Sequence, residues 1–438
     1  MDKTPRVSYT LRAHESGITC LKLIELHSIP VLLSGDSQGN LFAWNFVTRR
    51  PFAYHAVKSQ ASIISLDYKG GYFTVQSRDN LLRFFKLDLD PSIPSGLRSS
   101  EKLSSLTPVY EIPINTLNFA NVVIQHIVND KFRLWCCNTM HSENLDVYCF
   151  DLGDNKSLKR EFNSLDPFPI VKDLTKDSSK FKFEKLGIIM RLTEHEGIVY
   201  VGYESGFVLG LKMLPTIDDQ KENSAENSKS LQFIDSGVNV GCTSLMELIY
   251  ISAIHYPNPV LSLYYSQQRN VVLSTSTEDQ IGLHTIKTLP ELTSEDKAKK
   301  FYMSIGMKLV ESEDIEKSNE SIVLPTSKIS HIATTDNSIV VSNWKGQTLV
   351  INDSVVSQRY FKARSNVHVE ESCQGSFAEK KEVESPMIKV SAMTCLCGGL
   401  SNLDVYKSVG EQRRAAKVFG QNWCLIGYED GSIVMQNI

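Results

Sequence analysis

The stretch Val31–Phe46 reads VLLSGDSQGNLFAWNF, an apolar run, a polar turn and a second apolar run that contains Trp44. Two strand-like runs joined by a short turn of Gly, Asp, Ser and Asn are typical of a β-hairpin. Glycine-bearing turns also bind phosphate groups in other proteins. Taken by itself, the stretch therefore leaves two interpretations open, a ligand-binding loop or a structural corner.

The rest of the chain repeats this pattern, which decides between the two interpretations. Hairpins of the same kind occur seven times, at 31–46, 72–87, 134–152, 199–213, 271–286, 339–353 and 423–438. An alternating strand precedes most of them, for example Ile18–Leu23 and Val260–Tyr265. Three to four antiparallel strands in a unit of about 40–45 residues form the blade of a β-propeller. The sequence thus predicts an all-β fold, a single seven-bladed propeller over residues 1–438.

The two ends of the chain predict how the ring closes. The chain reaches Ile438 directly after the third strand of the last unit, and Val7–Leu11 forms a strand before the first unit. An N-terminal strand added to the last blade would complete that blade and cover an exposed sheet edge. Between the units lie segments rich in Ser, Asn, Lys and Glu, which we interpret as long surface loops. These predicted loops are 88–108, 153–180, 214–230, 287–321, 354–386 and 400–418.

Composition restricts the classes of function. The chain has 438 residues, of which 42% are hydrophobic and 22% charged, and its formal net charge is −4. A domain dedicated to nucleic acid would carry a basic excess, so direct binding of DNA or RNA is not expected. We also expect no membrane span, because no stretch approaches about 20 apolar residues. The nine scattered cysteines predict reduced thiols rather than disulfides.

The hairpins resemble those of WD-repeat proteins. In that family a buried His, Ser or Thr, Asp and Trp form a hydrogen-bonded tetrad. The resemblance assigns His14, Ser34 and Trp44 to these roles in the first unit, where Gln38 stands at the aspartate position. It assigns Asp79 and Asp430 to the aspartate role in the second and last units, where Phe85 and Gln436 replace the tryptophan. Most blades would then lack a complete tetrad.

Three longer stretches point to a narrower family. YTLRAHESGITCLKL, LSGDSQGNLFAWNFVTRRP and NWCLIGYEDGSIVMQNI resemble the fungal ASTRA-associated protein one family of WD-repeat proteins. The resemblance implies a subunit of the ASTRA chromatin-remodelling complex, located in the nucleus with a further pool in the cytoplasm. It implies partners among the ASTRA and Tel–Tti cochaperone proteins, which mature phosphatidylinositol-kinase-related kinases. A monomer within a hetero-complex would be expected.

The residues favour binding over catalysis. No HExxH, GxSxG or GxxxxGK[ST] motif occurs, and no cofactor or metal site is expected. The inner strands begin with apolar residues, which we interpret as facing the axis of the ring, including Ile18, Ile63 and Val260. Arg413, Arg414 and Lys417, in a predicted loop, are the best charged candidates for a partner-binding site. Two functions remain open, a non-enzymatic scaffold subunit and a stand-alone adaptor that binds peptides or phosphopeptides.

Overall fold

The structure, a computed structural model, forms a ring of seven antiparallel sheets. It describes residues 9–26, 29–87, 103–175, 181–214, 245–285, 320–352, 355–363, 387–399, 406 and 408–438. Within these residues, six of the sheets have four strands and one has five. The predicted seven-bladed propeller is therefore confirmed.

Each blade is numbered in chain order and its strands are given from the axis outward. The first three blades are β2 (Ile18–Leu26), β3 (Ile29–Asp36), β4 (Asn40–Asn45) and β5 (Arg50–Ala56); β6 (Ile63–Lys69), β7 (Tyr72–Ser77), β8 (Leu81–Lys86) and β10 (Tyr110–Pro113); and β11 (Val123–Val128), β12 (Lys131–Cys137), β13 (Leu145–Asp151) and β14 (Asp154–Leu165). A short strand, β9 (Ser104–Ser105), adds to the outer edge of blade 1 in parallel orientation.

The other four blades follow the same plan. They are β15 (Ile189–His195), β16 (Ile198–Tyr203), β17 (Val208–Leu214) and β18 (Leu245–Ser252); β19 (Ser262–Ser266), β20 (Val271–Thr275), β21 (Gln280–His284) and β22 (Glu320–Val323); β23 (Ile329–Thr334), β24 (Ile339–Asn343), β25 (Thr348–Asn352) and β26 (Val355–Tyr360); and β27 (Val390–Leu396), β28 (Trp423–Tyr428), β29 (Ile433–Asn437) and β1 (Tyr9–Leu11). We call the face that carries the turns between second and third strands, and the connections between blades, the upper face. The opposite face is the lower face.

The N-terminal strand closes the ring, as predicted. Strand β1 is the outermost strand of blade 7, where Tyr9 pairs with Met435 and Leu11 with Ile433. Leu11 is only 4% exposed, because it packs into the apolar cluster between blades 7 and 1. Segments from the two ends of the sequence therefore lie in one sheet, and β29 is paired on both of its sides.

The apolar core is divided among the contacts between blades. Among the described residues, buried apolar side chains form seven clusters, and each cluster lies between two neighbouring blades. Trp44, for example, is buried between blades 7 and 1, and Phe85 is buried between blades 1 and 2. Stability is thus distributed round the ring, since each blade depends on both of its neighbours.

Glycines in the second strands allow neighbouring blades to approach closely. A Cβ atom on Gly35 would lie 2.8 Å from Ile63 Cγ2, and one on Gly427 would lie 2.6 Å from Ile18 Cγ2. Val260 fills the equivalent space beside Gly202, since a Cβ atom on Gly202 would lie 2.6 Å from Val260 Cγ1. The prediction that Ile18, Ile63 and Val260 face the axis is therefore wrong, because these side chains are buried against the preceding blade. Gly35 also serves this contact, whereas Gly39 makes the turn with a φ of 77°.

Several predicted loops contain regular structure. Segment 153–180 includes β14 and helix α1 (Phe168–Thr175), and segment 400–418 includes most of helix α2 (Val409–Phe419). Segment 354–386 begins with β26, segment 287–321 ends in β22, and segment 88–108 contains β9. The loop prediction is wrong at these places because edge strands such as β14 and β9, and helix α2, contain many polar residues and so resemble loops in composition. Other parts of the predicted loops lie outside the described residues, at 88–102, 176–180, 215–230, 287–319, 354, 364–386, 400–405 and 407.

Candidate functional site

A buried hydrogen-bonded tetrad joins the strands of blade 1. The His14 ring lies 2.7 Å through Nε2 from Ser34 Oγ and 2.9 Å through Nδ1 from Asp36 Oδ2. The Trp44 indole Nε1 donates to Ser34 Oγ at 2.8 Å. The structure thus brings His14 and Trp44 together at the Ser34 hydroxyl, as predicted, and His14 also bonds to a carboxylate. Trp44 can only donate and the Asp36 carboxylate can only accept, so Ser34 accepts from Trp44 and His14 Nδ1 donates to Asp36.

The carboxylate of this tetrad comes from Asp36, so the interpretation that Gln38 leaves the tetrad incomplete is wrong. Asp36 lies two residues before Gln38, at the end of β3, and its Oδ1 accepts from the backbone N–H groups of Gln38 and Asn40 at 2.9 and 2.8 Å. Burial raises the pKa of Asp36, but hydrogen bonds from His14 and Asn40 outweigh it and lower the pKa to about 2. One side chain therefore holds both the turn and the histidine.

Blade 5 contains a second network of the same plan, which the sequence interpretation missed. His255 Nε2 lies 2.7 Å from Ser274 Oγ, and His284 Nε2 lies 2.6 Å from the same oxygen. Glu278 stands in the turn, with its Oε2 atom 3.7 Å from His255 Nδ1. A signal was present in the sequence, because Ser274 precedes His284 by the same ten residues that separate Ser34 from Trp44.

In this second tetrad a histidine performs the task of the tryptophan. The Tyr250 hydroxyl lies 2.9 Å from His284 Nδ1 and can donate to it, which places the ring proton on Nε2, facing Ser274. His284 then presents an N–H to the serine as the Trp44 indole does. His284 is only 1% exposed, so its ring packs in the place of the tryptophan. Burial, followed by the nearby His255, lowers the pKa of His284 to about 3, so the ring is neutral at pH 7.

Asp79 and Asp430 lie at the predicted turns but do not contact a tetrad histidine. Asp79 accepts from Ser77 Oγ at 2.6 Å and from the buried Arg83 guanidinium. Asp430 accepts from Ser432 Oγ at 2.6 Å and from Lys362 Nζ. The assignment of these two residues to the aspartate role of a tetrad is therefore wrong, because each carboxylate bonds to a serine and a cationic side chain and to no histidine among the described residues.

The predicted basic cluster lies on a helix and not in a loop. Helix α2 is inserted between β27 and β28 on the lower face, and Arg413, Arg414 and Lys417 are exposed on its solvent side. A capping box starts the helix, since Ser408 Oγ accepts from the Glu411 N–H at 3.2 Å and Glu411 accepts from Ser408 N. A cavity of about 650 Å³ lies at the C-terminal end of the helix, lined by Phe419, Asn422 and other residues. The three basic residues therefore form a strip that a partner could contact.

The described residues offer no arrangement for metal chemistry. Within the part of the chain that the structure covers, no three His, Cys, Asp or Glu side chains are grouped so as to hold a metal ion. The same part has no helix of the length and apolar character that crossing a membrane requires. What the described residues provide instead is a rigid ring with turns and connections that project from two faces.

The ring and its tetrads define the class of protein, a WD-repeat type β-propeller. The β-propeller domain of Cps50 (Swd1) from Myceliophteria thermophila superimposes with a TM-score of 0.53 at 10% identity, and the match covers 99% of both chains. Raptor from Chaetomium thermophilum matches with a TM-score of 0.53 at 9% identity, over 99% of this chain and 29% of Raptor. At such low identity these matches show the shared fold.

Sequence comparison then gives the family. The family described as ASTRA-associated protein 1 matches residues 7–436. The protein of that name from Lachancea thermotolerans is 38% identical over 434 residues, which cover 98% of each chain. The protein of the same name from Saccharomyces cerevisiae strain YJM789 is 33% identical over an alignment of 460 residues, which covers 98% of this chain and 96% of that protein. This chain belongs to the ASTRA-associated protein 1 family.

Proposed function

We propose that this chain is a non-enzymatic scaffold subunit of the ASTRA complex. The observation that carries the proposal is the match of the ASTRA-associated protein 1 family to nearly the whole chain, residues 7–436. The ring supports it, because a propeller offers two faces on which turns and connections vary without changing the core. The proposal includes a location in the nucleus, with a cytoplasmic pool, and a role in chromatin remodelling.

The proposed partners are the other ASTRA subunits and the Tel–Tti cochaperone proteins that mature phosphatidylinositol-kinase-related kinases. In this proposal one copy of the chain enters the complex and contacts protein, without direct binding of nucleic acid or membrane. The net charge of −4 supports protein partners over phosphate backbones. The rigid tetrads support a scaffold in particular, since they fix the blades while the connections between them remain free to differ.

Affinity purification tests the proposal. The tagged full chain, expressed at native abundance, is expected to recover cochaperone subunits in stoichiometric amounts, and quantitative mass spectrometry measures the ratio. A second measurement is microscopy of the fluorescently tagged chain, which is expected in the nucleus. Recovery of the chain as a lone monomer would contradict the scaffold function. It would favour the alternative, a stand-alone adaptor that binds peptides or phosphopeptides.

A further inference from the structure

The connection between blades 2 and 3 has an unusual distribution of polar and apolar side chains. We call residues 114–122, with the sequence INTLNFANV, the asparagine loop. Its Leu117 is 76% exposed and its Phe119 is 66% exposed, whereas the side chains of Asn115 and Asn118 are buried. Folded proteins normally bury large apolar side chains and expose amides. Large apolar groups that are held in solvent mark a surface for binding.

The asparagine loop is fixed by its amide groups. Asn115 Nδ2 donates to the Asn138 carbonyl at 2.6 Å, and Asn118 Nδ2 donates to the Ile189 carbonyl at 3.3 Å. Asn121 and Leu192 exchange two hydrogen bonds of 2.8 and 3.0 Å. These contacts tie the loop to blades 3 and 4. The apolar side chains are therefore presented on backbone that is ordered before any partner binds, which reduces the entropy cost of binding.

The turn bonded to the loop carries another exposed apolar side chain. Met140 lies on the upper face in the turn between β12 and β13, and it is 83% exposed. Its backbone N–H donates to Asn138 Oδ1 at 2.9 Å, and Asn138 is the residue to which Asn115 is bonded. The same amide network thus holds the loop and this turn. An aromatic ring, a leucine and a flexible methionine are side chains that contribute strongly to protein interfaces.

Arg78 gives this surface a positive charge, and a second arginine, Arg191, is bonded to the backbone of the loop. The Arg78 guanidinium lies 4.4 Å from the centroid of the Phe119 ring, and Arg191 donates to the Phe119 carbonyl at 3.0 Å. Neither arginine has a carboxylate within 4 Å among the described residues. The nearest carboxylate in the sequence, Asp79, is already paired with Arg83. The asparagine loop itself contains no acidic residue, so the charge of Arg78 is available to an anionic group.

We propose that Arg78, Leu117, Phe119 and Met140 form a docking surface for a protein segment with a large apolar side chain beside a carboxylate. The apolar side chain would contact Leu117 and Phe119, and the carboxylate would pair with Arg78 in bidentate geometry. This inference deepens the proposed scaffold function, on which it rests for the nature of the partner. It names the upper face at blades 2 and 3 as the place of contact.

The first test compares two surface variants in the purification described above. In the variant Leu117→Ser with Phe119→Ser, recovery of cochaperone subunits is expected to fall at least tenfold. The matched control is Trp344→Ser, because Trp344 lies on the upper face of blade 6 and is 47% exposed. Recovery with the control is expected to equal that of the unmodified chain. Melting temperatures of the purified chains check that both variants fold.

The second test identifies the contact directly. A photoreactive benzoylphenylalanine at position 117 is expected to cross-link a partner at a stretch with apolar and acidic residues, whereas one at position 344 should not. Charge reversal, Arg78→Glu, is expected to reduce the yield of the position-117 adduct at least tenfold.

The outcomes separate the two proposals. If the unmodified chain recovers the subunits and the Leu117→Ser, Phe119→Ser variant does so equally, the docking surface is wrong and the scaffold function stands. If the unmodified chain recovers none of them, the scaffold function is wrong. In that case the cross-link decides the inference, since an adduct at an apolar and acidic stretch supports the surface. Absence of an adduct at position 117, or equal adducts at positions 117 and 344, overturns it.

Discussion

Blades 1 and 5 reach the same hydrogen-bonded arrangement with different residues. In blade 1 the serine receives an indole N–H from Trp44, and in blade 5 it faces His284, whose second nitrogen lies 2.9 Å from the Tyr250 hydroxyl. The carboxylate contact differs more. Asp36 lies 2.9 Å from its histidine, whereas Glu278 lies 3.7 Å from its own. What the two blades share is a serine oxygen between two ring nitrogens, and the carboxylate can come from different positions.

The two networks also differ in how they depend on pH. The pKa of Asp36 is lowered to about 2, so its contribution to stability is present above about pH 4 and is lost as the pH falls towards 2. His284 has a pKa lowered to about 3, which means that the folded chain holds it neutral while the unfolded chain protonates it near pH 6.5. The free energy of unfolding therefore decreases, through His284, as the pH falls below about 6.5. Blade 5 should weaken first on acidification.

Deletion of residues 1–12 should have the largest effect on stability, and it should weaken blade 1 without weakening blade 5. The deletion removes β1 and the buried Leu11, and it leaves His14 close to a free chain end. We expect a loss of about 4 kcal/mol in the free energy of unfolding, comparable to removal of a large core side chain. Hydrogen exchange should show lost protection in blades 7 and 1 but little change in blade 5. Thr10→Ala, at an exposed position of β1, is the control, and an unchanged melting temperature after the deletion would mean that β1 does not close the ring.

Removal of each carboxylate tests the difference in their contacts. Asp36→Ala should cost about 3 kcal/mol, because it leaves the buried His14 Nδ1–H without its partner. Glu278→Ala should cost about 1 kcal/mol, because the Glu278 side chain is 25% exposed and farther from its histidine. Urea unfolding of both variants at pH 7 measures the difference. Equal costs would show that the two carboxylates support their tetrads alike.

The pH dependence of blade 5 can be isolated with a side chain that does not titrate. The unfolded chain binds a proton at His284 below about pH 6.5, whereas the folded chain does not. Through this residue, the free energy of unfolding of the unmodified chain should fall by about 2 kcal/mol between pH 7 and pH 5. His284→Gln should be less stable at pH 7 but should lose about 2 kcal/mol less over this interval. His331, whose pKa burial lowers to about 4, contributes to both chains and cancels in the comparison. Identical slopes in the two chains would contradict a neutral buried His284.

The smallest effect is expected at Gln38, where the WD-repeat pattern lacks its aspartate. Gln38→Asp restores the WD-repeat residue, but Asp36 already holds His14 and the turn. The exposed new carboxylate would have no histidine to bind and would lie near an existing negative charge. We expect a change within about 0.5 kcal/mol in urea unfolding. Stabilisation by more than 1 kcal/mol would instead mean that the carboxylate is better placed at position 38.

Local patterns were sufficient for the hairpins, the number of blades and the closing strand. They failed for helix α2, although Ser408 and Glu411 have the spacing of a capping box, because the basic residues that follow were interpreted as loop composition. They also failed for β14, an edge strand with a partly polar sequence. The exposure of Leu117 and Phe119 could not be predicted from the sequence, since apolar residues in a connection between blades are expected to be buried.

The sequence by itself determined the ring. Seven alternating hairpins cannot bury their apolar faces singly, and stacking them around an axis buries all of them. Tertiary structure decided which side chains form each tetrad and which are exposed. Whether Asp36 or Gln38 faces His14 depends on the path of the turn, and whether Phe119 is buried depends on how three blades meet around the asparagine loop. Such contacts join residues far apart in the chain, and they exist only after the ring has closed.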